Sequence, residues 1–371
     1  MPKKILIVSR SFYPMNSPRS FRTTELAKEL ARQGHEVTVL TPKIPEHNNF
    51  EKEYGLTIKD LGKQTWKPIE LKGTGISLLL RRVIRRFSNL LLEYPDIQLM
   101  GLVEKALKKE KQEYDLLISI AAPHPIHWGV AKVWKKGSDK NPAKVWIADC
   151  GDPFMGAEND TFKPPFYFKY VEKWFSKKVD YLTVPVKTAI QAYYPEFHHK
   201  IKVIPQGFNF EEVKTASRIE KPYPHFAYAG GFIPGRRDPK AFFKYLISLD
   251  QDYIFDIYTN SNSLIKHYAD KSKGRIRIKE YIPRLDLLFE LSKLDFVVNF
   301  ENAGQKQVPS KLIDYSIINK PILSVNSFHY DSTVTDEFLN ENYSNAYQLE
   351  NLEDYEIENV ACAFLELIQT P

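Results

Sequence analysis

The chain has 371 residues, 43% of them hydrophobic and 26% charged, which suits two domains with separate cores and excludes a disordered chain. Its formal charge of +6 is mild over that length, so nucleic acid is not expected as the partner. Two cysteines, Cys150 and Cys362, exclude a disulfide framework, and no stretch of about 18 uninterrupted apolar residues is there to span a bilayer.

Lys3 to Ser9 (KKILIVS) is a short, nearly continuous apolar run, as a parallel strand buried on both faces requires. It is too short for a signal peptide, so a cytoplasmic setting is expected. A turn-rich stretch, Phe12 to Ser20, leads into helical spacing over Phe21 to Gln33, and Gly34 is placed to stop that helix. Glu36 to Thr41 reads as the next strand, completing a βαβ unit. The alternation continues with strands at Asp115–Ile120, Ala143–Ala148, Tyr181–Val184 and Lys202–Ile204, and helices at Ile126–Lys135 and Phe166–Lys178. Residues 208–224, charged and proline-containing, predict a linker closing a domain of residues 1–207. A second domain, 225–352, opens with a strand at His225–Ala229 and a helix at Pro239–Leu249. Further strands follow at Phe255–Tyr258, Arg275–Ile278, Phe296–Phe300 and Ile322–Val325, with helices between. Residues 353–371 supply a final helix, expected to return to the first domain. The predicted fold is α/β, two Rossmann-like doubly wound domains facing across a cleft, with ligand sites at the carboxyl ends of the strands.

Three stretches carry chemistry. Gly230-Gly231-Phe232-Ile233-Pro234-Gly235-Arg236-Arg237 follows a strand directly. Glycines let backbone approach a phosphate, and Arg236 and Arg237 offer bidentate charge-assisted contacts; the plainer alternative is a surface turn with solvated arginines. After the strand at Phe296–Phe300, Pro309-Ser310 opens a helix whose free amides attract a pyrophosphate. Lys311 in its first turn opposes the helix dipole and so calls for an anion, while Asp314, one turn on, is within reach of ribose hydroxyls; simple capping by Ser310 is the alternative. In Ile76 to Glu93, apolar residues recur at 76, 79, 80, 83, 84, 87, 90 and 91, with Arg81, Arg82, Arg85 and Arg86 on the flank. Such a helix either lies on an anionic membrane surface or covers the first domain's core. The aromatic and basic stretch Lys169 to Lys178 extends the same surface. Asp149 and Asp152, at a strand end, either contact a saccharide or cap a turn, and no trio of residues has metal-ligand spacing.

These pieces together resemble the large retaining GT-B glycosyltransferase family 4, as found in bacterial capsule and O-antigen synthesis. The resemblance runs over nearly the whole chain: Ile5-Leu6-Ile7-Val8, Tyr13-Pro14, Gly34-His35-Glu36-Val37, Asp149-Cys150-Gly151-Asp152-Pro153-Phe154, Val203-Ile204-Pro205-Gln206-Gly207, Tyr228-Ala229-Gly230-Gly231 and Pro309-Ser310-Lys311-Leu312-Ile313-Asp314-Tyr315. It implies that Arg237, with Arg236 beside it, holds the donor diphosphate, that Ser310 and Lys311 form the helix start under it, and that Asp314 grips the ribose. It further implies that Asn16, Ser17 and Arg19 replace a Gly-Gly turn facing phosphates and acceptor, and that His127 faces the transferred sugar. The family's paired glutamates stand eight apart; here Lys306 occupies the first position and Glu301 is the nearest acid, while Phe232 stands where an arginine is common. Candidate catalytic residues are therefore His127, Glu301 and Asp152. The expected activity is transfer of a hexosyl-type sugar from a nucleotide-sugar to a saccharide or lipid-linked oligosaccharide, without a metal or other cofactor, by a protein peripheral to the inner face of the plasma membrane. A sugar-nucleotide epimerase and a non-catalytic partner subunit of the same fold are the alternatives. A nicotinamide-dependent dehydrogenase is disfavoured because the first βαβ turn lacks G-x-G-x-x-G.

Overall fold

The computed structural model describes residues 1–156, 163–235, 237–260, 262–301 and 310–369. The chain divides into two units, Met1–Phe208 with Glu356–Pro371, and Asn209–Tyr355.

In the first unit β1 (Lys4–Ser9), α1 (Pro18–Arg32), β2 (Glu36–Thr41), α2 (His47–Tyr54), β3 (Thr57–Asp60), α3 (Gly75–Leu92) and α4 (Gln98–Lys109) follow one another. Then come β4 (Tyr114–Ala121), α5 (Pro125–Val133), β5 (Ala143–Cys150), α6 (Phe168–Lys178), β6 (Tyr181–Val184) and β7 (Ile201–Val203). The seven strands form a parallel sheet in the order β3-β2-β1-β4-β5-β6-β7. Ile5 pairs with Val37 on one side and Leu116 on the other, so β1 is an interior strand. Alternate β1 side chains serve opposite faces: Leu6 and Val8 join one buried cluster with Leu117 and Trp146, while Ile5 and Ile7 join another with Ile118 and Ile147. Both faces are covered, which is why the strand reads as one apolar run.

The start of α1 is fixed by Ser17, whose hydroxyl accepts the Ser20 N–H at 3.2 Å, and by Pro18 in its first turn. Gly34, at φ 83°, ends it, with its N–H on the Ala31 carbonyl. The chain-order reading assigns no element to residues 42–60 or 94–113; α2, β3 and α4 stand there. None of the eighteen α3 residues is buried, and Ile76 is 78% exposed, Leu79 60% and Phe87 55%. The helix therefore does not cover the core. Among the described residues no helix is long and apolar enough to cross a membrane.

The second unit runs β8 (His225–Ala229), α7 (Lys240–Ser248), β9 (Ile254–Tyr258), α8 (Lys266–Lys271), β10 (Ile276–Lys279), α9 (Arg284–Ser292), β11 (Phe296–Phe300), α10 (Ser310–Ile317), β12 (Ile322–Val325) and α11 (Ser332–Leu339). Its five-stranded parallel sheet has the order β10-β9-β8-β11-β12. An aromatic layer fills one face: Phe226 stacks on Phe296 and Phe255 with centroids 4.4 and 4.8 Å apart. Part of the expected linker belongs to this unit instead. The Ala216 N–H reaches Ser292 Oγ at 2.8 Å, and Arg218 pairs with Asp295 and Glu341. α12 (Ile357–Gln369) returns to the first unit, where Val360 and Phe364 enter the cluster that holds Leu26 and Leu30 of α1.

Candidate active site

In each sheet the strand order reverses at one point, between β1 and β4 and between β8 and β11. The loops leaving those strands diverge there and open a crevice at the carboxyl edge. The Gly230–Arg237 stretch follows β8 and the helix opened by Ser310 follows β11.

In the second unit, the backbone after β8 is pinned from several sides. The Gly230 N–H donates to the Tyr258 carbonyl at 3.0 Å, and Ile233 and Arg237 exchange backbone hydrogen bonds that close a tight loop. The Tyr228 hydroxyl donates to the Gly231 carbonyl at 2.9 Å, and the Tyr315 hydroxyl of α10 accepts the Ala229 N–H at 3.0 Å. Lys311 Nζ donates to the Tyr228 hydroxyl at 3.0 Å and lies 4.3 Å from the centre of its ring. Burial, and then the Arg237 charge, push the Lys311 pKa down to about 7. Arg237 Nε is buried without a hydrogen-bond partner among the described residues. Gly230 has φ 148°, and a Cβ there would stand 2.7 Å from Lys311 Nζ. Two cations thus converge beside glycine backbone, with no ion pair to a carboxylate on either among the described residues, an arrangement that an anion would complete.

Asp314 stands nearby on α10, its Oδ1 accepting from Arg284 Nε at 2.9 Å and Nη2 at 2.5 Å. Burial pushes its carboxyl up against the opposing charge of Arg284. Glu301 directly follows β11; its carboxylate accepts from Ser324 Oγ of β12 at 3.1 Å and from Nδ2 of Asn326, just past β12, at 2.8 Å, and these orient it. Phe232, where the family often has arginine, is buried against Tyr228 and Phe300. Arg236, Lys306 and the side chain of Ser310 lie outside the described residues.

In the first unit the structure corrects the expectation for His127. Its position early in α5 turns it onto the sheet, where it is fully buried. Nδ1 meets Ser119 Oγ at 2.8 Å, Nε2 meets Cys150 Sγ at 3.5 Å, and the ring stacks on Phe175. Burial, with His124 adding to it, pushes its pKa down to about 3. It packs as a core histidine between Ser119 of β4 and Cys150 of β5. Asp149 is likewise internal. It forms an ion pair with Arg22 at 2.9 Å, both side chains 4% exposed or less, and accepts the Thr183 hydroxyl at 2.7 Å. Burial pushes its carboxyl up, but Arg22 outweighs that and holds it below the usual range. Ser17 acts as the α1 cap, and Asn16 is exposed beside it. Arg19 Nη2 reaches Asp152 at 2.8 Å, its guanidinium lying so close over Gly151 that a Cβ there would stand 1.5 Å from Nη1. The structure therefore brings Asn16, Ser17, Arg19 and Asp152 to one rim of the first sheet, and Gly230, Gly231, Arg237, Lys311, Asp314 and Glu301 to one edge of the second.

Sequence reasoning missed Arg22, Arg284, Tyr228 and Tyr315. Only Arg22 left a signal. It shares a helix face with Leu26 and Leu30, and an arginine in an apolar row requires a buried acid.

A family model for Glycosyltransferase Family 4 matches residues 21–212, just over half of the chain. No curated protein sequence matches it. A glycosyltransferase from Rickettsia africae is similar with a TM-score of 0.64 and 10% identity over 99% of this chain and 98% of that one. Anabaena HepE in complex with UDP gives 0.62 and 10% over 99% of each. An S. aureus TarM variant in complex with fondaparinux, α-GlcNAc-glycerol and UDP gives 0.59 and 11% over 99% of this chain and all of that one. At such identities the likeness speaks for the fold, two Rossmann-like domains of the GT-B kind, and the family match adds the lineage. The chain belongs to Glycosyltransferase Family 4.

Proposed function

We propose that this glycosyltransferase moves a hexosyl-type sugar from a nucleotide-sugar to a saccharide carried on a lipid, in the synthesis of a bacterial surface polysaccharide such as capsule or O-antigen. The observation that carries the reading is the Arg237–Lys311–Tyr228 cluster at the β8/β11 switch point. A nucleoside diphosphate placed there would receive Gly230 and Gly231 backbone on one side and two cations on the other. Asp314, steadied by Arg284, faces the ribose; for Arg236 and Ser310 a part in the same site rests on the family resemblance alone. Glu301 is oriented for the transferred sugar.

Transfer breaks the bond between the anomeric carbon and the diphosphate and forms one to the acceptor oxygen. The bonding electrons pass to the departing diphosphate, whose oxygen takes the acceptor hydroxyl's proton and whose growing charge Arg237 and Lys311 stabilise in the role a metal plays elsewhere. Retention of configuration follows from the family resemblance. Arg19 and Asp152 are the groups the first unit offers to an acceptor. Binding of UDP by the HepE and TarM neighbours supports a nucleotide-sugar donor. The exposed basic and apolar face of α3 supports a cytoplasmic protein docked on the inner membrane surface through Arg81, Arg82, Arg85 and Arg86.

Thermal shift against UDP-, GDP-, ADP-, CMP- and dTDP-sugars tests the donor site. One nucleotide class at 100 times its Kd should add about 2.7 kcal/mol of stability, and Arg237→Ala or Lys311→Ala should remove it. A stabilisation that survives both substitutions places the nucleotide elsewhere and sinks the reading.

A further inference from the structure

The loop after β5 carries Asp152 to the rim of the first sheet, and packing fixes most of it. Gly151 lies under the Arg19 guanidinium. Phe154 stands edge-on to Trp128 and Phe168, with centroids 5.5 and 5.1 Å apart. At Gly156 a Cβ would stand 2.1 Å from the Ala192 carbonyl oxygen, so only glycine passes there. Packing does not satisfy the N–H groups of Phe154 and Met155, and an unpaired buried donor is costly.

Glu172 faces them. It lies in the buried row of α6 with Phe168, Phe175 and Ser176 and is 1% exposed. Its Oε1 accepts the Met155 N–H at 3.5 Å, and its Oε2 is buried with no hydrogen-bond partner among the described residues. No described cation pairs with it: Lys173, the next residue, turns to Glu196 at 2.5 Å. Burial pushes the carboxyl up to about 7, against the pull of the Met155 and Phe154 N–H groups. Such a carboxyl is poor core material, since methionine would fill the row without its desolvation. What it offers is a hold on the backbone just beyond Asp152. We propose that Glu172 is a positioning residue for the acceptor, holding that backbone so that the Arg19–Asp152 pair stands where an acceptor hydroxyl is received. The role in transfer rests on the proposed transferase activity; the hold on the loop does not.

Glu172→Met and Glu172→Gln separate this role from packing. Glu172→Met keeps the volume and removes a carboxyl without a cation, so the melting temperature should stay nearly unchanged. Backbone amide exchange in the 150–156 peptide should nevertheless quicken by about tenfold, with the strands of the first sheet unaffected. Transfer is followed as nucleoside diphosphate release from the stabilising nucleotide-sugar. The acceptor is membranes bearing lipid-linked saccharide, diluted with saccharide-free membranes at constant total lipid. Glu172→Met should raise the half-saturating saccharide content by about tenfold and leave the nucleotide-sugar KM unchanged. Glu172→Gln, whose carbonyl still accepts the Met155 N–H, should recover most of that loss. In an Asp152→Ala background Glu172→Met should have no further effect, because Glu172 acts through Asp152. A large drop in melting temperature, equal loss for both substrates, no gain of Gln over Met, or full additivity with Asp152→Ala makes Glu172 an ordinary core residue and overturns the proposal. Unquickened exchange overturns it too, whether or not wild-type protein turns over. Wild-type turnover that Glu172→Met leaves unaffected sinks this inference alone, whereas absent wild-type turnover sinks the transferase reading with it.

Discussion

Lys311 is the residue on which most of the chemistry converges, because burial beside Arg237 leaves its amine poised near neutrality instead of at 10.5. A diphosphate favours the charged form, so nucleotide binding takes up a proton once the pH exceeds about 7. Affinity should fall as pH rises from 7 toward 9, measured by titration calorimetry in two buffers of different ionisation heat. Lys311→Arg should flatten that dependence. The unliganded protein should trend oppositely: above pH 7 its folded state holds fewer protons at this site than the unfolded chain, so the stability contribution rises with pH through that window. Asp149 illustrates the reverse arrangement, a charge whose role is internal. Asp149→Asn or Arg22→Ala should destabilise by about 3–5 kcal/mol in denaturant melts, whereas Arg22→Met with Asp149→Leu should recover most of it. A double variant as unstable as the single ones would show that the pair does more than compensate its own burial.

Among the elements, α3 is the one whose sequence and environment disagree with a globular role. Since none of its residues is buried, Leu79→Ser, Val83→Ser and Phe87→Ser together should leave the melting temperature nearly unchanged and abolish vesicle binding. A large drop in melting temperature would return the helix to the core. The strands were legible because a parallel strand covered on both faces is nearly continuously apolar, as Ile5–Val8 is throughout and Phe296–Phe300 is but for Asn299. α2 and β3 were not, since His47–Tyr54 offers a single strong apolar anchor, Phe50, and Thr57–Asp60 is a four-residue edge strand. α4 carried a usable signal in Leu99, Val103 and Leu107, one helical face that is buried throughout. Burial of His127 was not legible. The residue's type suits a site, and only the turn of α5 onto β4 and β5 decides otherwise.

At the scale of the molecule, two parallel sheets each place one switch point at a loop edge, and each edge gathers a different chemistry. The second sheet gathers Arg237 and Lys311 at the edge that also holds Asp314 and Glu301; the first presents the Arg19–Asp152 rim and carries α3. The Gly-rich loop and the Ser310–Asp314 helix were readable from spacing because glycines and cations near strand ends have few other uses. Their supports, Tyr228, Tyr315 and Arg284, act across the fold and leave no local mark.

The central claim, sugar transfer supported by Arg237 and Lys311, is tested most directly by release of nucleoside diphosphate from the stabilising nucleotide-sugar in the presence of membranes bearing lipid-linked saccharide. Wild-type protein should turn over, and Arg237→Ala and Lys311→Ala should each lose about 10²–10³ in rate. No turnover by wild-type protein, or undiminished turnover by both variants, would contradict the account.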